Sequence, residues 1–126
     1  MIRSGALRKK RRAWTFGRLA EEFCSWHLRL RGYRILARRF RAPVGEIDIV
    51  ARRGRTLAIV EVKARERRDD AAQALNTRQR RRIVRAAEAF LRQRPGCDGL
   101  DVRFDLMVVV PWRLPVHMRD AWRTTP

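Results

Sequence analysis

Two alternating runs of β-branched and polar residues, Gly45-Glu46-Ile47-Asp48-Ile49-Val50-Ala51 and Thr56 to Lys63, stand on either side of Arg52-Arg53-Gly54-Arg55. Residues two apart on a strand share a face, so the pair reads as a β-hairpin with one carboxylate-bearing side. With Arg53-Gly54 as a two-residue turn, Asp48 faces Ile59 and Glu46 faces Glu61. Asp48, Glu61 and Lys63 then project from the same side of the sheet, with Glu46 beside them. The turn decides this, because a loop one residue longer sends the carboxylates to opposite faces.

The rest of the chain supplies layers for this hairpin. From Trp14 to Leu30 the apolar spacing is helical, with two stripes: Phe16, Leu19, Ala20, Phe23, Trp26 and Leu30 on one side, Trp14, Gly17, Cys24 and Leu28 on another. Trp14 and Trp26 read as core residues. Glu21 falls on the second stripe, where a neighbouring sheet would lie. Gly32 is a C-terminal cap, and Tyr33 to Phe40 reads as a strand. A polar connection, Ala64 to Ala74, leads to a second helix from about Thr77 to Gln93, with Ile83, Val84, Ala87, Phe90 and Leu91 inward. Arg78, Arg81, Arg82, Arg85 and Arg92 lie on its outer face, and Asn76 with Gln79 forms a capping-box pattern. Val102 to Val110 is a further strand; beyond Pro111 only a short edge strand or helical turn around His117 to Trp122 is indicated. The order α-β-β-β-α-β predicts an α/β sandwich, a central mixed sheet flanked by helices. The chain of 126 residues suffices for one core. Residues 1–13 are expected to be a disordered basic arm and 14–126 a single domain.

Charge narrows the partner. The formal net charge is +18, with 31 Lys and Arg against 13 Asp and Glu. Such self-repulsion excludes a neutral or acidic-surface enzyme and makes nucleic acid the expected partner. Only three of the basic residues are lysines, Lys9, Lys10 and Lys63, so the folded body holds one. Cys24 and Cys97 are too few and too far apart for a disulfide framework or a zinc finger. No apolar run approaches the length of a membrane span, and a cytoplasmic location is expected.

The hairpin is where chemistry concentrates. Two carboxylates converging among Ile and Val repel each other and lose hydration unless something positive lies between them. Arginine could do so as a structural ion pair. A hard divalent cation is the sharper reading, since Mg²⁺ takes carboxylate oxygens, a carbonyl and waters. Lys63 favours the second: in a chain that uses arginine for generic charge, it provides a compact ammonium able to orient a water or stabilise charge on a phosphate. Asp48-x₁₂-Glu61-x-Lys63 thus has the parts for metal-assisted phosphodiester hydrolysis.

At these residues the sequence becomes familiar. Gly17-x₃-Glu21, Gly32-Tyr33-x-Ile35-Leu36, Gly45-Glu46-Ile47-Asp48-Ile49, Val60-Glu61-Val62-Lys63-x-Arg65 and Arg103-Phe104-Asp105 resemble, in order and spacing, the YraN-like family of small bacterial proteins. That family is related to the PD-(D/E)xK nucleases, which include archaeal Holliday-junction resolvases. The resemblance covers roughly residues 14 to 122 and implies a restriction-endonuclease-like fold. It implies Asp48, Glu61 and the Val62 carbonyl as ligands of Mg²⁺ (Mn²⁺ substituting), Lys63 as the catalytic lysine, and Glu21 as an extra acid at the metal. The plainer alternative for Glu21 is a helix carboxylate paired with Arg18. Two positions depart from the family: Ala20 stands where glycine is usual, and Gln79 where lysine is frequent.

Two functions follow. The first is a metal-dependent endonuclease or resolvase-like enzyme on DNA, with Arg65, Arg78, Arg81, Arg82 and Arg85 holding the backbone. The second is a non-catalytic nucleic-acid-binding protein that keeps the nuclease fold. A homodimer is the expectation from resolvase-type relatives. Arg103 and Asp105 share a strand face and read as a structural pair, His27 as a packed histidine, and His117 as a residue with no identifiable partner.

Overall fold

The computed structural model describes residues 17–66 and 76–123. The basic arm, Trp14 and the connection from residue 67 onward lie outside them. Helix α1 (residues 17–30) ends where the N–H of Gly32 reaches the Arg29 carbonyl and that of Tyr33 the Leu28 carbonyl, both at 3.0 Å. This pair of bonds closes the carbonyls left open by the last turn.

Five strands follow, β1 (Arg34–Ala42), β2 (Gly45–Arg53), β3 (Thr56–Ala64), β4 (Asp101–Val109) and β5 (Val116–Trp122), in the spatial order β1-β2-β3-β4-β5. Only β3 and β4 are parallel, and helix α2 (Thr77–Gln93) lies in the crossover that a parallel pair requires. The predicted sandwich is therefore present, a mixed sheet between two helices. His117 to Trp122 is a full edge strand on β4 rather than a helical turn.

Each face of the sheet has its own core. Ile47, Val50, Leu57, Ile59, Phe104, Leu106 and Val108 pack on the α2 side, against Ile83, Ala86, Ala87 and Phe90. Ile49, Ala51, Ala58, Val60, Met107 and Val109 pack on the α1 side, against Ala20, Cys24 and Leu28. Cys24 and Leu28 of the second stripe meet the sheet together with Ala20 of the first, whereas Leu19, Phe23, Trp26 and Leu30 are each more than half exposed. Trp26 is thus not a core residue, because α1 has two apolar sides and one sheet to cover. Both cysteines are buried and free.

The hairpin register differs from the predicted one. Arg53 pairs with Thr56, Val50 with Ile59 and Ile49 with Val60, so the turn is Gly54-Arg55. Gly54 has φ +60° while Arg55 does not enter the left-handed region. A positive φ at the first loop position suits the right-handed twist of the strands, and glycine takes it without Cβ strain. The displacement is two residues, so the paired side chains keep their faces and Asp48 comes toward Glu61 instead of Ile59.

Candidate functional site

The regular sheet fails at Asp48. Ile47 packs into the α2-side core and Ile49 into the α1-side core, although a regular strand would turn both the same way. On β1, Phe40 pairs with Ile47 and Arg38 with Ile49; between them Arg39 has φ +52°. On the other side the β2–β3 ladder ends at Ile49–Val60. The Asp48 carboxylate takes over from the ladder, Oδ2 accepting the Val62 N–H at 2.8 Å.

That bond holds Asp48 against Glu61. The two carboxyls share a hydrogen bond, and Glu61 Oε1 lies 3.4 Å from Lys63 Nζ. Burial pushes the Asp48 carboxyl up, against the lowering pull of the Val62 N–H. Burial and then the Asp48 charge push Glu61 up to about 8. Both carboxyls are thus raised, the signature of two acids that lack enough positive charge nearby.

Glu21 stands on the α1 side of the sheet. Burial raises its carboxyl, followed by the Asp48 charge, so it lies within electrostatic reach of the pair. Its Oε2 accepts from Arg39 Nε at 2.7 Å. Cys24, between these acids and the core, has its thiol pushed up to about 12 by burial, then by Asp48 and Glu21. Among the described residues no group of three or more His, Cys, Asp and Glu side chains is gathered for a metal. Asp48 and Glu61 come together with Lys63, while Glu21 is turned to Arg39.

The donor set suits a hard cation. Two buried carboxylates short of positive charge offer oxygen alone, and Mg²⁺ binds through one or two carboxylates while keeping several waters. Asp48 and Glu61 would hold it.

Glu61 opens into a cleft of about 790 Å³ between α2 and the β1–β2 turn, lined also by Arg41, Glu46, Gln79, Arg82 and Arg85. Gly45 admits α2 so closely that a Cβ there would overlap the Arg82 carbonyl. Of the arginines expected to touch nucleic acid, Arg82 and Arg85 line the cleft. Arg78 and Arg81 are exposed on α2, and Arg65 turns its guanidinium to the Ala64 carbonyl at 2.8 Å. Arg41 lines the cleft as well, and no spacing in the sequence marks it among so many arginines. Gln79 departs from the capping box: its N–H is capped by Asn76 Oδ1 at 2.9 Å, but its own Oε1 is buried without a partner and makes no return bond.

A second polar centre lies apart from the cleft. Asp105 is fully buried, taking Arg103 Nε and Nη2 at 2.8 and 2.7 Å, His117 Nε2 at 2.7 Å and the Asp120 N–H at 3.0 Å. Burial pushes this carboxyl up, yet the bonds from His117, Arg103 and Asp120 outweigh it and hold it below the usual range. An ionised carboxylate only accepts, so His117 Nε2 is the donor. The expected Arg103–Asp105 pair is present, and β5 brings His117 the partner that its sequence neighbours do not reveal.

Fold and site together define a small α/β protein of restriction-endonuclease-like form, with an acid–acid–lysine trio where two strands part. The chain belongs to the uncharacterised protein family UPF0102, the YraN family, whose model matches residues 20–109. It is 53% identical over 111 residues to a UPF0102 protein of Parvibaculum lavamentivorans, covering 88% of this chain and 84% of the relative. A UPF0102 protein of Rhodopseudomonas palustris is 52% identical over 114 residues, covering 90% and 87%. One from Paramagnetospirillum magneticum is 50% identical over 111 residues, covering 85% and 86%. No helix among the described residues is long and apolar enough to cross a membrane.

Proposed function

We propose that the protein is a metal-dependent phosphodiester hydrolase, an endonuclease or resolvase-like enzyme acting on DNA. One observation carries this reading: the Asp48 and Glu61 carboxyls are held together beside Lys63 at the edge of an arginine-walled cleft. Arg41, Arg82 and Arg85 hold the phosphate backbone without reading sequence. A bound Mg²⁺ or Mn²⁺ supplies Lewis acidity and charge neutralisation. Asp48 and Glu61 would hold that cation through their carboxylate oxygens. Lys63 orients the attacking water and stabilises the charge that develops on the phosphate. The assay is incubation of the full chain with branched, nicked and single-stranded DNA in Mg²⁺ or Mn²⁺, beside Asp48→Ala and Lys63→Ala. Metal-dependent cleavage lost in both variants is expected; equal cleavage by both would sink the assignment.

A second reading has its own support. Lys63 already neutralises part of the Glu61 charge, and Arg39 occupies Glu21, which suits a nucleic-acid-binding protein that keeps the fold without turnover. Calorimetry separates the two. Absence of Mn²⁺ binding, with salt-sensitive DNA binding unchanged by Asp48→Ala, favours the second.

A further inference from the structure

The turn between β4 and β5 is built to present one side chain. The Arg113 N–H reaches the Val110 carbonyl at 3.3 Å, which makes Pro111 and Trp112 the central residues of a β-turn. Pro111 fits the second position, whereas the third, with φ +65° at Trp112, is the place that glycine or asparagine normally takes. A bulky residue there is strained, and such strain persists where the side chain has a use. The indole is fully exposed, and a second proline, Pro115, closes the loop. Among the described residues the ring packs against nothing, so the described fold does not require tryptophan here.

Its location relates it to the cleft. Val108 is the register partner of Lys63, and Ala64 pairs with Val109, so β4 runs out at the same end of the sheet as the acid pair. Four residues separate Val108 from Trp112, a chain reach of about 14 Å at most. With one strand spacing of about 4.8 Å added between Val108 and Lys63, the span is at most about 19 Å, or about five to six nucleotides at about 3.4 Å each along a strand. Arg113 is exposed beside the indole, and the +18 charge selects a polyanion over a cationic partner.

We infer that Trp112 stacks on an unpaired base of a nucleic acid whose backbone lies at the Glu61–Lys63 end of the sheet, which makes single-stranded or branched nucleic acid the preferred class. The inference rests on the nucleic-acid reading of the cleft, and it does not need turnover. An indole face accepts any base, so this contact selects for unpaired structure rather than for sequence.

The test is fluorescence anisotropy of the full chain in EDTA, with a labelled single strand and a blunt duplex of equal length. Trp112→Ala and Trp112→Gly are compared with Trp112→Phe. Glycine takes the positive φ without Cβ strain, so that variant keeps the turn while removing the indole. Both truncations are expected to weaken single-strand binding roughly 5- to 100-fold, the range for one base–aromatic stack, with the duplex changed less than twofold and phenylalanine restoring most of the loss. Equal loss on both ligands, or no loss on either, overturns the inference. So does lost binding to phosphatidylserine vesicles with oligonucleotide binding intact, which would make the turn a lipid contact. Cleavage separates the two readings: wild type inactive in Mn²⁺ but discriminating through Trp112 refutes the nuclease and not the stack.

Discussion

Asp48 Oδ2 accepts the Val62 N–H at 2.8 Å, immediately beyond the last paired residues of β2 and β3. A side chain stands in for a strand, so Asp48 ties the hairpin together at the same point where it is forced against Glu61. Stability and chemistry are therefore in tension at this residue.

Asp48→Asn keeps an acceptor for the Val62 N–H, whereas Asp48→Ala leaves a half-buried donor without its partner at a cost of about 1–3 kcal/mol. Urea denaturation should rank alanine below asparagine. In both variants the Glu61 carboxyl should titrate lower than in wild type, because the neighbouring charge is gone; carboxyl-carbon NMR reads this shift directly.

Glu61 should make the metal-free protein more stable at pH 5 than at pH 8, against a contribution of opposite sign from His27, which burial lowers. Glu61 is raised by burial and by Asp48, so its contribution is present below the unfolded value near 4.5 and is lost as pH rises toward about 8. Glu61→Gln should flatten this slope. Added Mn²⁺ should raise the Tm more at pH 8 than at pH 5, since binding must displace the proton. A thermal melt series across pH checks both.

Asp105 has the opposite sign. Its carboxyl is held down by His117, Arg103 and the Asp120 N–H against the effect of burial, so its stabilisation is present above about 3.8 and disappears as pH falls through the lowered folded value. Acid unfolding should accordingly begin below about pH 4, and Asp105→Ala should cost about 3–5 kcal/mol at neutral pH by stranding buried donors. If that variant is as stable as wild type in urea, the network contributes nothing.

Gly45→Ala should destabilise by about 1–3 kcal/mol, because the new methyl meets the Arg82 backbone rather than a side chain that can swing away. Gly96→Ala, with open space around it, is the matched control and should stay within about 0.5 kcal/mol of wild type. Guanidinium midpoints compare the two.

For the cleft arginines, the expected signature is ionic. Arg82→Ala with Arg85→Ala should weaken binding to all DNA sequences alike and reduce the slope of log K against log salt by about two, one for each phosphate released. Arg123→Ala, which loses only an exposed pair with Asp120, should leave the slope unchanged.

The layer order and the facing side of the acid trio were legible because both follow from periodicity. Even the mistaken turn did no harm to the paired residues, since a slip of two returns each of them to its own face; Ile47, beyond the paired stretch, crosses to the other side. Contacts between distant elements were not legible. Arg18 acts on Glu21 along the helix as its spacing suggests, yet the hydrogen bond to Glu21 comes from Arg39 on β1. His117 finds Asp105 only because β5 folds back on β4. The first apolar stripe of α1 has helical spacing identical in kind to the second, and nothing local marks Trp26 as the exposed one.

The sequence by itself determined the elements, the faces and the chemical parts: a hairpin carrying two acids and the lone lysine of the folded body, set in a strongly cationic chain. The tertiary structure alone decided that the strands part at Asp48, that burial and Asp48 raise the Glu61 carboxyl, and that the indole of Trp112 stands in solvent. Periodicity is a property of neighbours along the chain, and sequence reads it. Strand divergence, burial and electrostatic coupling depend on distances between segments far apart in sequence, and only the packed fold sets them.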